Sequence, residues 1–261
     1  MSDTATADLE LIRDASEQAG RIALKYWNEG AEAWEKPGGE GPVTEADLAV
    51  DNYLCETLTK ARPDYGWLSE ESQDDPARLS CRRVFIVDPI DGTRSFANGE
   101  RTWAVSVAVV EDGSPIAAAV VLPARDKVYS AALGHGAHLG TTRLRSSTRG
   151  EVAGATVLAA RPTMAAPHWP GGVPPVKREF RSSLAYRMAV IGEGRFDAMV
   201  TFRDTWEWDI AAGALIAIEA GATVTDRNGQ ALRLNSPDRH TKGIIAGGPE
   251  VHAGLLRHRQ S

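Results

Sequence analysis

Cysteine, basic charge and long apolar runs are all scarce in this sequence, and each shortage argues against a class of protein. The chain of 261 residues has only 2 cysteines, Cys55 and Cys81, in no metal-spaced cluster, which suits a reducing cytosol better than a disulfide framework. Its net charge of -6 argues against a broad nucleic-acid-binding surface. No apolar run approaches the roughly 18 residues that cross a bilayer, and the acidic N-terminus lacks a signal-peptide pattern. We therefore expect a soluble cytoplasmic protein that binds neither nucleic-acid polymers nor membranes.

The residues that are present have an ordinary globular composition, with 43% hydrophobic and 25% charged residues. Apolar residues at three- and four-residue steps predict a helix over residues 6–28 and a second helix beginning at Thr44. Short apolar runs predict strands at Tyr65–Ser69 and Val84–Val87, followed by an antiparallel meander with Asp112-Gly113 in its first turn. Mixed helices and antiparallel strands predict an α+β or layered αβ architecture.

The second part of the chain alternates strands and helices after the polar segment TTRLRSSTRG. Strands are predicted in ATVLAA, FDAMVTF and GIIAGG. Helices are predicted in SSLAYRMAVIGEG, with a serine cap, in WDIAAGALIAIEAGA, ended by glycine, and at the C-terminus. We expect residues 1–145 to form an N-terminal α+β half and residues 146–261 a C-terminal α/β half.

The stretch VFIVDPIDGTRSF joins a buried-looking strand to two carboxylates, Asp88 and Asp91. Pro89 stiffens the turn, and we expect the strand to end there. Gly92 permits close approach of the backbone to a ligand, and a helix beginning near Thr93 would present free amides to an anion. Because carboxylates repel an anion unless a cation lies between them, the turn predicts a site for a hard dication and a phosphate.

An ordinary surface Asp-Gly turn is the alternative explanation of this stretch. Two further motifs favour the metal site. SEES supplies Glu70 and Glu71 after a predicted strand, and TWEWDIAAG supplies Asp209 beside an apolar helix, where an unpaired carboxylate is costly. For Asp209 the alternative is an acid stabilised by the helix dipole. The acid spacing does not fit an EF-hand or a haloacid dehalogenase, and the chain has no GxSxG or P-loop motif.

Taken together, DPIDGT, the upstream SEES and the downstream WDIAAG resemble the inositol monophosphatase family of magnesium-dependent, lithium-sensitive phosphatases. The resemblance runs from about residue 8 to the C-terminus, and the three motifs in this order are highly specific. It implies a layered αβαβα sandwich of the inositol monophosphatase and fructose-bisphosphatase type, with two or three Mg²⁺ ions and a small phosphate ester as substrate. It also implies a homodimer, because relatives are often dimers.

The same resemblance implies which residues form the site. Candidate metal ligands are Glu70, Asp88, the backbone carbonyl of Ile90, Asp91 and Asp209. Thr93 and Asp47 would position or activate the attacking water, with assistance from Glu70. The spacing Thr44-x-x-Asp47 also matches a helix capping box, and both roles are compatible. Lys36 falls in a loop that folds over the site in relatives.

The substrate is suggested by the pocket segments REFRSSLAYRMAV and VTFRDTWEW. They lack the acid that inositol monophosphatases carry about six residues before the tryptophan, and Asp204 is displaced from that position. SSLAYR resembles bisphosphate nucleotidases, which remove the 3′-phosphate from phosphoadenosine phosphate, and a second phosphate requires cations such as Arg181. Trp206 and Trp208 would flank a base; alternatively Trp206 is core and the arginines are surface residues. Candidate substrate-binding residues are Asp91, Gly92, Thr93, Ser182, Ser183, Arg187, Arg203 and Asp209.

The sequence therefore predicts a magnesium-dependent phosphomonoesterase, with a 3′(2′),5′-bisphosphate nucleotidase as the best match. Inositol-1-monophosphatase and histidinol-phosphatase are the alternative activities. An alternative of another class is a catalytically silent sensor of phosphate ligands or a partner protein. The complete set of acids argues against that alternative, since silent relatives usually lose ligands.

Overall fold

Six α-helices and sixteen strands occupy the described part of the computed structural model, which comprises residues 2–30, 32–36 and 42–260. The helices are α1 (Ser2–Glu29), α2 (Glu45–Ala61), α3 (Thr93–Ala97), α4 (Leu184–Gly192), α5 (Glu207–Glu219) and α6 (Pro249–Gln260). The first nine strands are β1 (Ala33–Glu35), β2 (Pro42–Thr44), β3 (Gly66–Ser69), β4 (Arg83–Asp91), β5 (Ala104–Glu111), β6 (Ser114–Leu122), β7 (Lys127–Ala132), β8 (Gly136–Leu139) and β9 (Thr142–Arg143). The remaining strands are β10 (Thr156–Ala159), β11 (Lys177–Glu179), β12 (Ala198–Thr201), β13 (Thr205–Trp206), β14 (Thr223–Thr225), β15 (His240–Thr241) and β16 (Ile244–Gly247).

Two large sheets and three helical layers alternate through the molecule. Strands β3 to β9 form a seven-stranded sheet in chain order, in which only the β3–β4 pair is parallel. The five-stranded sheet has the order β11-β10-β12-β16-β14. Helices α1 and α2 cover one face of the larger sheet, α4 and α5 lie between the two sheets, and α6 covers the far face of the smaller sheet. The predicted layered α+β architecture is confirmed.

Strand β4 shows why both faces of the larger sheet are covered. Its apolar residues alternate, so that Phe85 and Val87 pack towards α1 and α2, while Val84 and Ile86 pack towards α4 and α5. A strand that is apolar on both faces needs helices on each side. Among the described residues, no helix combines the length and the apolar content needed to cross a membrane.

The predicted turn after β5 is confirmed. Asp112 and Gly113 have φ values of 50° and 82°, as a two-residue hairpin of the primed type requires. Thr44 caps α2 in a full capping box with Asp47, and Ser183 caps α4. These local signals place the starts of both helices that later support the site.

The expectation that Pro89 ends the strand is wrong. Strand β4 continues through Asp91, and its pairing with β5 shifts register between Asp88 and Asp91. A bulge leaves residues in one strand without a ladder partner, so a proline without an N–H group is tolerated there. The bulge places both carboxylates at the end of one continuous strand.

Helices α4 and α5 approach each other closely at Gly213, where a Cβ atom would overlap the side chain of Met188. Their apolar residues belong to the core that joins the two sheets. Helix α5 packs on both sheets and so joins the two halves. The division into residues 1–145 and 146–261 stays a prediction.

Candidate functional site

Three carboxylates from two elements meet at the end of β4. Asp88 and Asp91 lie on β4, and Asp209 lies in the first turn of α5, which the Ser106 hydroxyl holds against the sheet by donating to the Trp208 carbonyl at 3.4 Å. Each of the three acids offers one oxygen, and these oxygens lie within 4.8 Å of one another. We refer to Asp88, Asp91 and Asp209 as the acidic cluster.

Asp88 has a buried carboxylate oxygen that lacks a donor among the described residues. Its side chain is buried, and its Oδ1 atom accepts no hydrogen bond from any residue that the structure describes. Burial raises the pKa of Asp88 well above its ordinary value, and the charges of Glu70, Asp91 and Asp209 raise it further. A buried carboxylate oxygen without a donor, beside other carboxylates, fits a divalent cation with oxygen ligands.

Asp91 is held firmly by the start of α4. Its Oδ2 atom accepts hydrogen bonds from the Ser183 hydroxyl and the Ala185 amide, both at 2.6 Å. Burial raises the pKa of Asp91, although these hydrogen bonds oppose the rise. The Ser183 hydroxyl also accepts from the Tyr186 amide at 3.0 Å. Ser183 therefore acts as a support for Asp91 and as a helix cap.

Asp47 and Thr93 lie next to each other. Asp47 accepts from the amide and hydroxyl of Thr44 at 2.8 and 2.5 Å, and its other oxygen lies 3.3 Å from the Thr93 hydroxyl. The same hydroxyl lies 3.1 Å from the Ile90 carbonyl. Burial raises the pKa of Asp47 to about 6, while the hydrogen bonds from Thr44 oppose the rise. The capping box thus leaves one oxygen of Asp47 facing Thr93.

Glu70 and Glu71 share a cation that the chain itself supplies. Lys36 Nζ lies 2.8 Å from Glu70 Oε1 and 2.7 Å from Glu71 Oε1. Burial opposes protonation of Lys36, but the two carboxylates raise its pKa overall. Burial raises the pKa of Glu71 to about 7. The Glu70 amide donates to the Val87 carbonyl at 3.2 Å, which ties this acidic turn to β4.

Gly92 allows the chain to turn from β4 into α3. Its φ of +98° is in the left-handed region, and a Cβ atom would lie 3.1 Å from the Thr102 carbonyl. Any other residue would be strained at this position. The turn places the amides of Gly92 and Thr93 at the start of α3, where backbone N–H groups lack partners within the helix.

Of the predicted substrate-binding side chains, Ser182 and Arg187 form hydrogen bonds within the protein, whereas Arg203 is exposed. The Ser182 hydroxyl donates to the Thr102 carbonyl at 3.0 Å, so it supports the loop. Arg187 is buried and donates to the carbonyls of Arg181 and Ser182 at 2.5 and 3.2 Å. Burial lowers the pKa of Arg187 to about 10, and the charge of Arg203 adds to this effect. Arg203 itself is exposed.

Trp206 already has neighbours on its ring. It stacks on Trp208 with centroids 4.6 Å apart, and the His240 ring lies 3.5 Å from it. The Arg239 guanidinium lies 5.5 Å from the same ring. A base would stack on Trp206 only by displacing a neighbour. The Trp206 ring is therefore better described as part of the packing around the core.

Sequence reasoning missed Asp51. This buried residue of α2 accepts from the hydroxyls of Ser69 and Ser72, each at 2.5 Å. The available signal was an acid four residues after Asp47, between the apolar positions of the helix. We refer to Ser69–Ser72, which contains Glu70 and Glu71, as the acidic turn.

A second group of buried charges lies near the start of α5, and we call it the Arg78 network. Arg78 donates to Asp74 Oδ1 at 2.6 Å and to Asn235 Oδ1 at 2.5 Å. Glu207 accepts from the amides of Asn235 and Ser236 at 2.6 and 2.9 Å. Both Arg78 and Glu207 are buried, and each has several partners.

Comparisons with known proteins agree with this geometry. The model of the inositol monophosphatase family matches residues 6–261. An inositol-1-monophosphatase of Rhizobium meliloti (strain 1021) is 36% identical over 82% of this chain and 81% of its own. A 3'-phosphoadenosine 5'-phosphate phosphatase of Mycobacterium bovis is 37% identical over 80% of this chain and 79% of its own. The solved structure of an IMPase from Thermotoga maritima has a TM-score of 0.82, with 26% identity over 96% of each chain.

These findings confirm the resemblance to the family and the predicted sandwich fold. The relatives are named for two different activities, so the comparisons do not select one substrate. The match extends over nearly the whole chain, and the acidic cluster brings three carboxylate oxygens within 4.8 Å of one another. The chain belongs to the inositol monophosphatase family, whose members are metal-dependent phosphatases that hydrolyse phosphate monoesters.

Proposed function

We propose that the protein is a magnesium-dependent phosphomonoesterase whose preferred substrate is a 3′(2′),5′-bisphosphate nucleotide such as phosphoadenosine phosphate. The observation that supports the reaction is the acidic cluster, in which a buried oxygen of Asp88 has no donor among the described residues. Such a cluster beside the backbone amides of Gly92 and Thr93 suits a phosphate ester only when cations lie between the charges.

The proposed ligands are oxygen atoms from both parts of the chain, namely Glu70, Asp88, the Ile90 carbonyl, Asp91 and Asp209. An all-oxygen set favours Mg²⁺ over zinc or copper. When bound there, divalent cations would neutralise phosphate oxygens and make a water molecule more acidic. On this proposal the residues before 146 supply most ligands, and the later residues supply the last one together with the substrate pocket.

The remaining proposed roles belong to side chains and backbone amides of this protein. Thr93 and Asp47 are adjacent. The Thr93 hydroxyl can orient the attacking water, and the Asp47 carboxylate can accept the proton of that water through the hydroxyl. Glu70, on the acidic turn, assists in orienting water. The amides of Gly92 and Thr93 hold the phosphate oxygens at the start of α3.

Cations beside Asp209 support a substrate with a second phosphate. The charges of Arg187 and Arg203 both lower the pKa of Asp209, against the larger effect of burial, so both guanidinium groups lie near the acidic cluster. Arg203 is exposed and therefore accessible to a ligand. The relative of 37% identity from Mycobacterium bovis, named as a 3'-phosphoadenosine 5'-phosphate phosphatase, supports the same choice. The hydroxyls of Ser182 and Ser183 bond within the protein, so we propose a supporting role for them.

Inositol-1-monophosphatase activity is the second candidate, because the relative from Rhizobium meliloti carries that name. The pocket favours it less. Phe202 lies about where inositol monophosphatases carry an acid, and it is buried against Trp169 at a ring distance of 5.0 Å. The nearby Asp204 pairs with Arg227 at 2.8 Å.

The test is a comparison of kcat/KM for phosphoadenosine phosphate, inositol 1-phosphate and histidinol phosphate with Mg²⁺ present. We expect the bisphosphate nucleotide to be the best substrate. A higher kcat/KM for inositol phosphate would transfer the assignment to the second candidate, and no hydrolysis of any ester would contradict the proposed reaction.

The substitution Arg203→Ala tests the substrate more directly. We expect kcat/KM for the nucleotide to fall by about tenfold or more, because a charge-assisted hydrogen bond to phosphate is lost. Inositol phosphate, which has no second phosphate, should change little. Arg21→Ala on α1 is the control, since Arg21 is exposed and bonds only to Gln18 among the described residues. Equal losses for both substrates would contradict the second-phosphate role.

A further inference from the structure

The acidic turn is held at both ends by one buried carboxylate. Asp51 Oδ1 accepts from the Ser69 hydroxyl and Asp51 Oδ2 accepts from the Ser72 hydroxyl, each at 2.5 Å. The Ser69 oxygen in turn accepts from the Glu71 amide at 3.4 Å. The Ser72 oxygen accepts from Trp67 Nε1 at 3.2 Å. Two separate hydrogen-bond chains therefore meet on Asp51.

The chemistry of Asp51 matches this arrangement. An ionised carboxylate only accepts hydrogen bonds, and the two serines supply one donor to each of its oxygens. Asp51 is 5% exposed, so the carboxylate would be costly to bury without these donors. An asparagine would keep one acceptor, and the second serine would have to reverse its hydrogen bond.

The same helix also supports the opposite side of the site. Asp47 lies one turn before Asp51 on α2, and its Oδ1 atom accepts from the Thr93 hydroxyl at 3.3 Å. One rigid helix thus contacts both the start of α3 and the acidic turn that carries Glu70. A displacement of the turn relative to α2 would move Glu70 relative to the acidic cluster.

We propose that Asp51 is a positioning residue that fixes the direction of the Glu70 carboxylate through Ser69 and Ser72. This inference rests on the proposed function, in which Glu70 is a ligand of a divalent cation. Loss of a residue that orients a metal ligand typically weakens metal affinity about 10–100-fold. Asp51 itself lies outside the set of proposed ligands.

The test is calorimetric titration of the full chain with Mg²⁺ alone. We expect Asp51→Ala to raise the Kd for Mg²⁺ by about tenfold, and the double variant Ser69→Ala/Ser72→Ala to do the same. Glu56→Gln is the matched control, because Glu56 lies on the exposed face of the same helix. It should bind Mg²⁺ like the wild type.

Three outcomes are decisive. An unchanged Kd for Mg²⁺ in folded Asp51→Ala, or in the double serine variant if Asp51→Ala does not fold, would overturn the positioning role. Adding Ser72→Ala to Asp51→Ala should cause no further loss, and an additive loss would also overturn it. A wild-type protein that binds no Mg²⁺ would overturn the proposed function itself, and this inference with it.

Discussion

The acidic cluster and the Arg78 network both bury charges close to the start of α5. In the part of the chain that the structure describes, only the Arg78 network gives each of its charged groups hydrogen-bond partners, and in this sense we call it balanced. In the Arg78 network, Arg78 donates to Asp74 and Asn235, and Glu207 accepts two backbone amides. In the acidic cluster Asp91 accepts from Ser183 and Ala185, but one oxygen of Asp88 has no donor among the described residues.

The difference is the one expected between charges that support a fold and charges that bind a ligand. A balanced buried network completes its own hydrogen bonds and needs nothing from solution. An unbalanced one is costly unless a ligand of opposite charge supplies what the fold omits. Burial alone therefore does not point to a site, whereas several buried carboxylates with an unsatisfied oxygen among them are what a cation site requires.

The largest effect should come from Asp88→Asn, which removes the unbalanced charge without changing the shape of the side chain. We expect Mg²⁺-dependent phosphate release to fall at least about 10³-fold, or about 4 kcal/mol in transition-state stabilisation. In metal-free buffer with EDTA, the melting temperature should equal or exceed that of the wild type, because a buried repulsion is gone. Full activity of this variant with a chelator present would contradict the metal site.

The next effect concerns the balanced network. Arg78→Met should lower the free energy of unfolding by about 3–5 kcal/mol, because it leaves Asp74 and buried polar partners uncompensated. Urea unfolding measures this loss. Arg82→Met is the control, since Arg82 is 66% exposed and its ion pairs should contribute less than about 1 kcal/mol. Similar losses in the two variants would mean that the buried Arg78 stabilises the fold no more than an exposed arginine does.

Addition of Mg²⁺ should distinguish the variants of the two groups. At 100 times its Kd, the ion should stabilise the wild type by about 2.7 kcal/mol. Arg78→Met should keep this increment, whereas Asp88→Asn should lose most of it. The measurement is thermal unfolding with and without Mg²⁺, and an equal increment in both variants would place the ion elsewhere.

The smallest effect comes from His252, a buried residue of α6 that belongs to neither group and bonds to Thr225 at 2.9 Å. Burial lowers the pKa of His252, so the unfolded chain takes up a proton more readily than the folded one. Stability is therefore present above the ordinary pKa of 6.5 and is lost as the pH falls below it. His252→Gln should flatten this dependence by about 1 kcal/mol or less between pH 7 and 5.

The control for this prediction is His135→Gln, at an exposed position outside the core. Urea unfolding at a series of pH values compares the three proteins. A wild type whose stability does not fall more steeply than that of His252→Gln would contradict the assignment.

Much of the fold was predictable because its signals are local. The capping residues Thr44 and Ser183 and the turn at Asp112-Gly113 each depend on a few neighbouring residues, and the structure has them as predicted. The acids of the proposed site were named from three short motifs, and the structure brings Asp88, Asp91 and Asp209 together.

The features that escaped prediction depend on partners distant in sequence. Strand β4 passes through Pro89 because β5 accommodates a bulge, which the sequence of β4 does not encode. The role of Asp51 depends on serines 18 and 21 residues away. The stacking of Trp206 depends on His240, on a different strand. Each of these required the tertiary arrangement.

The close contact between Gly213 and Met188 has a consequence for the distance between two acids. Helix α4 carries the serine and amide that hold Asp91, and α5 carries Asp209. A single methyl group added at Gly213 would push the two helices apart from within the core. The distance between Asp91 and Asp209 therefore depends on Gly213, a residue without a side chain.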